Sequence, residues 1–194
     1  MKHSLTLASG SLARQEMLRN AGYEFDIIPA DIDEEKIISS LETNKNVALT
    51  LAKEKAKFIS QKNKENYIIG SDQILMMNNK IYSKAKNKQE AKERLMEFQG
   101  NAHTLHSGVS VFKDGEELFS FIDSASLTMK KMTADDIDRY CEKAGDVLTS
   151  CVGCYALESI GSRLFDKIDG DYFTILGMPL LPLIGFLDAE GFSL

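Results

Sequence analysis

The 194-residue chain predicts an α/β fold with an elongated mixed β-sheet flanked by helices. Three observations carry this. Short apolar runs alternate with stretches whose apolar residues recur at helical spacing. Turn signals at Asn78-Asn79 and Asp114-Gly115 join neighbouring runs as hairpins, while other runs are separated by a helix and need a crossover, so the sheet is mixed. No internal repeat or low-complexity linker interrupts the pattern, and residues 1–194 read as a single domain.

The elements follow in order. Leu5–Ala8 reads as a strand and Ser11–Ala21 as a helix ended by Gly22. Phe25–Ile28 reads as a strand entering an acidic loop, Asp31 to Glu35. Val47–Ser60 is an amphipathic helix, and Tyr67–Met77 a strand that turns at Asn78-Asn79 into Ile81-Tyr82. A helix from Lys88 to Phe98 stops at Gly100. Thr104–Phe112 and Glu117–Met129 pair around Asp114-Gly115, and Thr133 caps a helix to Lys143. A Gly-rich region, a strand at Phe165–Ile168 and an apolar segment at Leu180–Leu187 close the chain.

Composition excludes several classes. A formal charge of −6 argues against a nucleic-acid partner, which calls for a basic face. The N-terminal apolar run is too short for a secretory signal. The longest apolar stretch, Ile175 to Leu187, is too short for a membrane span and holds Pro179 and Pro182. Three cysteines, an odd number, fit a reducing compartment, so a cytoplasmic location is expected.

Several residues break the pattern of their own element. At the first strand-to-helix junction, Ser9, Gly10 and Ser11 lead into a helix with Arg14 in its first turn. Hydroxyls, unpaired helix N–H groups and a guanidinium gathered there suit an anion, above all phosphate. The alternative is plain capping by Ser9 or Ser11; Ser11 is expected to cap its helix in either case. Lys55 falls within the apolar stripe of Ala48, Leu51, Ala52, Phe58 and Ile59, whereas Lys53 and Lys57 point away. An ammonium there needs a partner or a polar cleft. Asp72 interrupts a strand, and Gly70 before it permits a bulge or a close backbone approach. A carboxylate on a rigid strand can serve as general base or metal ligand. Lys84 follows the hairpin and can return to the same end of the sheet. One carboxylate of Asp31, Asp33, Glu34 and Glu35 with Asp72 suffices for a small divalent cation that shares substrate phosphates.

Cys151-Val-Gly-Cys154 invites zinc or thiol chemistry, but no second such pair exists and His3, His103 and His106 lie far away in sequence. His103 and His106, three apart on a strand, face opposite sides and chelate poorly.

Together these residues resemble the Maf family of nucleoside triphosphate pyrophosphatases. The matching segments are Leu7 to Arg14, Asp33-Glu34, Leu51 to Ala56, Ile69 to Gln73, Ser83-Lys84-Ala85, Gly170-Asp171-Tyr172 and Gly177 to Leu180. Two departures stand out. Leu12-Ala13-Arg14 replaces a Pro-Arg-Arg pattern, and Ser83 and Ala85 replace the family's glycine and proline around Lys84. The resemblance implies two lobes with a central cleft, similar to inosine triphosphate pyrophosphatases. It also implies hydrolysis of a nucleoside triphosphate to the monophosphate and pyrophosphate with a divalent cation, Mg2+ or Mn2+. Ser9, Ser11 and Arg14 would hold the triphosphate, Lys55 and Lys84 would neutralise the leaving group, and Glu34 and Asp72 would hold metal, with Asp72 activating water. Gln73 and Glu158 would meet the base. Ser71-Asp72-Gln73 and Glu158 resemble the branch acting on 7-methyl-GTP rather than on dTTP and UTP. A homodimer is expected from the resemblance, with no membrane or nucleic-acid partner. The alternatives are the dTTP/UTP specificity, a non-catalytic nucleotide-binding regulator of cell division, and a thiol protein.

Overall fold

The computed structural model describes residues 4–42 and 44–192. The elements in chain order are β1 (Leu5–Leu7), α1 (Leu12–Asn20), β2 (Asp26–Ile27), α2 (Glu34–Ser39), α3 (Asn46–Ser60), β3 (Tyr67–Met77), β4 (Lys80–Tyr82) and α4 (Lys88–Phe98). They continue with β5 (Ala102–Lys113), β6 (Glu116–Met129), α5 (Ala134–Ala144), α6 (Val147–Ser150), a 3-10 turn (Ile160–Leu164), β7 (Phe165–Asp169), α7 (Tyr172–Leu176) and α8 (Leu180–Ala189). Among the described residues seven strands form one mixed sheet in the order β2-β1-β3-β5-β6-β7, with β4 paired to β3. β1 runs parallel to β2 and β3, whereas β4 is antiparallel to β3 and β7 to β6. The predicted mixed α/β class is the observed one.

Local chemistry explains the boundaries. Asn78 and Asn79 both take positive φ, as do Asp114 and Gly115, which matches the right-handed twist of the strands they join. Thr133 and Asp136 form a reciprocal capping box at α5. Two expectations are corrected here. The acidic stretch is not a free loop: Asp33 accepts a hydrogen bond from the Lys36 N–H, and Glu34 and Glu35 open α2, where carboxylates complement the unpaired N–H groups. Ser11 occupies the N-cap position of α1 with extended backbone, but its side chain makes no capping bond. The Gly-rich region and the segment before Leu180 contain three helical pieces (α6, the 3-10 turn and α7) too short to show a periodicity.

The chain forms two compact units. The first comprises Met1–Gln73, His106–Asp123 and Asp171–Leu194; the second comprises Ile74–Leu105 and Ser124–Gly170. In the first unit, alternate residues of β3 serve opposite faces of the sheet. Tyr67 and Ile69 join Leu5, Leu7, Met17, Leu18 and the α8 leucines 180, 183 and 187 in one core. Ile68 joins Ala56 and Ile59 of α3 in a second core. This alternation continues past the apolar residues and decides the direction of the polar ones. In the second unit, Phe98 stacks on His103, and Tyr155 meets Phe165 edge-on.

Candidate active site

The first unit brings Ser9, Ser11, Arg14, Glu34, Lys55, Asp72 and Gln73 into one body. Arg14 is buried, and two of its nitrogens are held by the protein. Nε donates to the Gly177 carbonyl at 2.9 Å, and Nη1 donates to Ser9 Oγ at 3.1 Å. Ser9 Oγ also accepts from the Ser11 N–H at 3.3 Å. Among the described residues no acceptor takes up Nη2. A guanidinium pinned on one side with a free nitrogen on the other is a pre-oriented anion fork. Burial pulls Arg14 below its ordinary value against the opposing fields of Asp72 and Glu34, yet a guanidinium remains a cation at physiological pH.

Lys55 is buried, as its place on the apolar stripe of α3 requires. Its ammonium donates to Asp72 Oδ1 in a short hydrogen bond and lies 2.7 Å from Glu34 Oε1. The sequence anomaly at Gly70 explains how α3 comes close enough. A Cβ on Gly70 would sit 2.1 Å from the Ala52 carbonyl oxygen, so only glycine admits the helix backbone here. Gly108 on β5 performs the same service beside Leu49, at 2.6 Å from its Cα. Asp72 lies two residues after Gly70 and faces α3 by the strand alternation. Burial pushes its carboxyl above the ordinary range, against Lys55 and Arg14, which favour the charged form. Oδ2 receives no hydrogen bond from the described residues.

Gln73 does not share the direction of Asp72. Its amide nitrogen lies 3.0 Å from each of three acceptors, Ser107 Oγ and the carbonyls of Thr174 and Ile175, which share its two N–H groups. The remaining two expected residues, Lys84 and Glu158, belong to the second unit and are both exposed. Both lie within electrostatic reach of Cys151. Arg94, which sequence reasoning missed, holds the segments that carry them: its buried guanidinium donates to the Ser83 and Val152 carbonyls and pairs with Glu90 at 2.8 Å. An arginine on the buried face of α4 was the available signal.

The thiols are poorly suited to chemistry. Cys151 stands at the C-terminal end of α6, where the helix end is electronegative. Burial raises its thiol and pushes that of Cys154 up to about 11. Among the described residues no three His, Cys, Asp or Glu side chains converge as a metal-binding group. His103 is buried, with Nε2 2.6 Å from the Tyr155 hydroxyl; His3 lies outside the described residues. No helix of the described residues is long and apolar enough to cross a membrane.

Comparison with known proteins places these residues in a family. The Maf-like protein family matches residues 4–190. This chain belongs to the Maf family. A nucleoside triphosphate pyrophosphatase of Nitrobacter hamburgensis is 42% identical over 189 residues, covering 96% of this chain and 94% of that protein. Another of the same name, from Rhodopseudomonas palustris, is 44% identical over 188 residues, covering 96% and 93%. Among solved structures, the Staphylococcus aureus Ham1 protein is 14% identical and overlaps 96% of this chain and 99% of that one with a TM-score of 0.47. In this Maf chain the segments that carried the resemblance, from Leu7 through Leu180, fall within the matched range.

Proposed function

We propose that this Maf chain is a nucleoside triphosphate pyrophosphatase, cleaving the α–β phosphoanhydride of its substrate. The observation that carries this reading is the Lys55 ammonium held between Asp72 and Glu34 in the same unit as the Arg14 fork. Nearly full-length relatives bear the name of that activity. Arg14, Ser9 and Ser11 grip the phosphates through guanidinium, hydroxyl and the open N–H groups of α1. Ser11, which makes no capping bond, has its hydroxyl available for this.

Asp72 Oδ2 orients the attacking water and takes its proton as oxygen bonds to the α-phosphorus. The bond from that phosphorus to the α–β bridging oxygen breaks, and the charge gathers on pyrophosphate. Lys55 retains a third N–H for a phosphate oxygen of the leaving group. Burial raises the proton affinity of Asp72, which makes it a stronger base than an exposed aspartate.

The donor set fits a hard divalent cation. Glu34 and Asp72, whose carboxylates both approach the Lys55 ammonium, are the residues that would hold Mg2+ or Mn2+, and since among the described residues no third such side chain joins them, phosphate oxygens and water would complete its shell. Such an ion supplies further neutralisation of phosphate charge.

For the base, Glu158 is the recognition residue. A carboxylate accepts from the N1–H and N2–H2 edge of guanine and complements a cationic methylated ring, which favours 7-methyl-GTP over pyrimidine nucleotides. The chain acts on this substrate as a single functional domain and as a homodimer in the cytoplasm. Pyrophosphate release from 7-methyl-GTP, GTP, UTP, dTTP and CTP by the purified chain alone tests the reading. Turnover led by 7-methyl-GTP is expected. Rates led by UTP or dTTP would refute the base assignment, and no release from any nucleotide would refute the activity.

A further inference from the structure

The C-terminal turn of α7 presents three backbone carbonyls, of Thr174, Ile175 and Gly177, that no intrahelical donor can fully satisfy. Side chains from three other elements cap them. Gln73 of β3 donates to Thr174 and Ile175. Ser107 of β5 donates to Thr174 at 2.7 Å. Ser71 Oγ of β3 lies 3.0 Å from the Gly177 carbonyl and 2.9 Å from that of Gly108, so its one proton is shared between them, and the Gly177 carbonyl also receives Arg14 Nε. Ser71, Ser107 and Thr174 are fully buried, and the Thr174 hydroxyl is itself tied to Asp123 at 2.9 Å. Gly177 adopts φ +109, a conformation that L side chains resist, so the turn that aims its carbonyl at Arg14 depends on glycine.

Strand alternation places Ser71 and Gln73 on the α1 and α8 face of the sheet and Asp72 on the α3 face. The two residues that flank the proposed base are therefore committed to the turn that holds the arginine. We infer that Ser71, Gln73 and Ser107 are positioning residues that fix the α7 turn, and that the Gly177 carbonyl in turn sets the angle of the Arg14 guanidinium toward the triphosphate. On this assignment Gln73 influences how the phosphates are held and leaves base selection to other residues. The inference rests on the reading of Arg14 as a phosphate ligand.

The test uses inorganic tripolyphosphate, which has the phosphates and no base, as an inhibitor of the full chain alongside a panel of nucleotide substrates. Arg14→Gln is expected to weaken tripolyphosphate inhibition strongly. Gln73→Met, which keeps length and removes the donors, is expected to raise the tripolyphosphate Ki and the KM for every nucleotide by the same factor, about tenfold. Ratios of kcat/KM between nucleotides should not change. In an Arg14→Gln background the Gln73 effect should vanish. Ser71→Ala, a smaller lesion of the same cap, should shift Ki in the same direction and serves if Gln73→Met does not fold.

An unmoved Ki in both variants, or altered nucleotide ratios with Ki unchanged, overturns the positioning role while leaving Arg14 as phosphate ligand. Unchanged tripolyphosphate inhibition in Arg14→Gln overturns the underlying reading instead.

Discussion

Asp72→Asn and Lys55→Met remove opposite ends of one buried ion pair, and the geometry predicts unequal consequences for stability. The Asp72 and Lys55 side chains are 11% and 10% exposed, whereas Glu34 is 48% exposed. In Asp72→Asn the ammonium keeps Glu34 at 2.7 Å and an amide oxygen can replace the carboxylate as acceptor. The cost of burying a carboxylate disappears at the same time. Stability should stay within about 1 kcal/mol of the wild type. In Lys55→Met a buried carboxylate loses its nearest cation, which costs about 3–5 kcal/mol. For a chain of this size that lowers Tm by about 6–20 °C.

Activity should follow a different order: Asp72→Asn loses its base and falls by about 10²–10⁴ in kcat. The pH sign is fixed by the same group. Because the folded Asp72 carboxyl lies above its unfolded value, its contribution to stability is fully present below the unfolded pKa. That contribution is lost as pH rises through the folded value. Wild type should therefore decline in stability across that window more than Asp72→Asn does. Pyrophosphate release and thermal melts across pH read both quantities. A folded Asp72→Asn retaining more than about a tenth of wild-type turnover would refute the base assignment, and a Lys55→Met melting within about 2 °C of wild type would refute the energetic argument.

Four further outcomes follow from the structure. His103, held down to about 4 from 6.5 by burial, stabilises the fold above pH 6.5. That contribution, up to about 3 kcal/mol, is lost as pH falls toward 4; in urea titrations His103→Gln should show a correspondingly shallower acid dependence. Gly70→Ala drives a methyl into the Ala52 carbonyl and should cost about 3 kcal/mol or more, seen as a depressed Tm or loss of soluble protein. Arg94→Met frees the Ser83 and Val152 carbonyls beside Lys84 and the Cys151–Cys154 turn; kcat should fall about tenfold with nucleotide KM changing less. With both thiols raised by burial, Cys151→Ser with Cys154→Ala should leave pyrophosphate release within about twofold, measured by phosphate assay after inorganic pyrophosphatase.

The sequence by itself determined the alternation of elements and the bounds of β3 and α4, because turn residues, caps and periodicity are local signals. It also singled out Lys55 and Asp72, since each violates the pattern of its own element. Their mutual contact was decided only in three dimensions, by the helix approach that Gly70 and Gly108 permit. The same holds for Arg14. Its charge and helix position were legible, but the partner that orients it is a carbonyl 163 residues away, and a backbone acceptor has no signature in sequence. Gln73 shows the converse. The resemblance assigned it to the base beside the Asp72 that activates water, while the pleat of the strand sends the two side chains to opposite faces. Local chemistry named the reactive groups; packing of distant segments set which of them face one another.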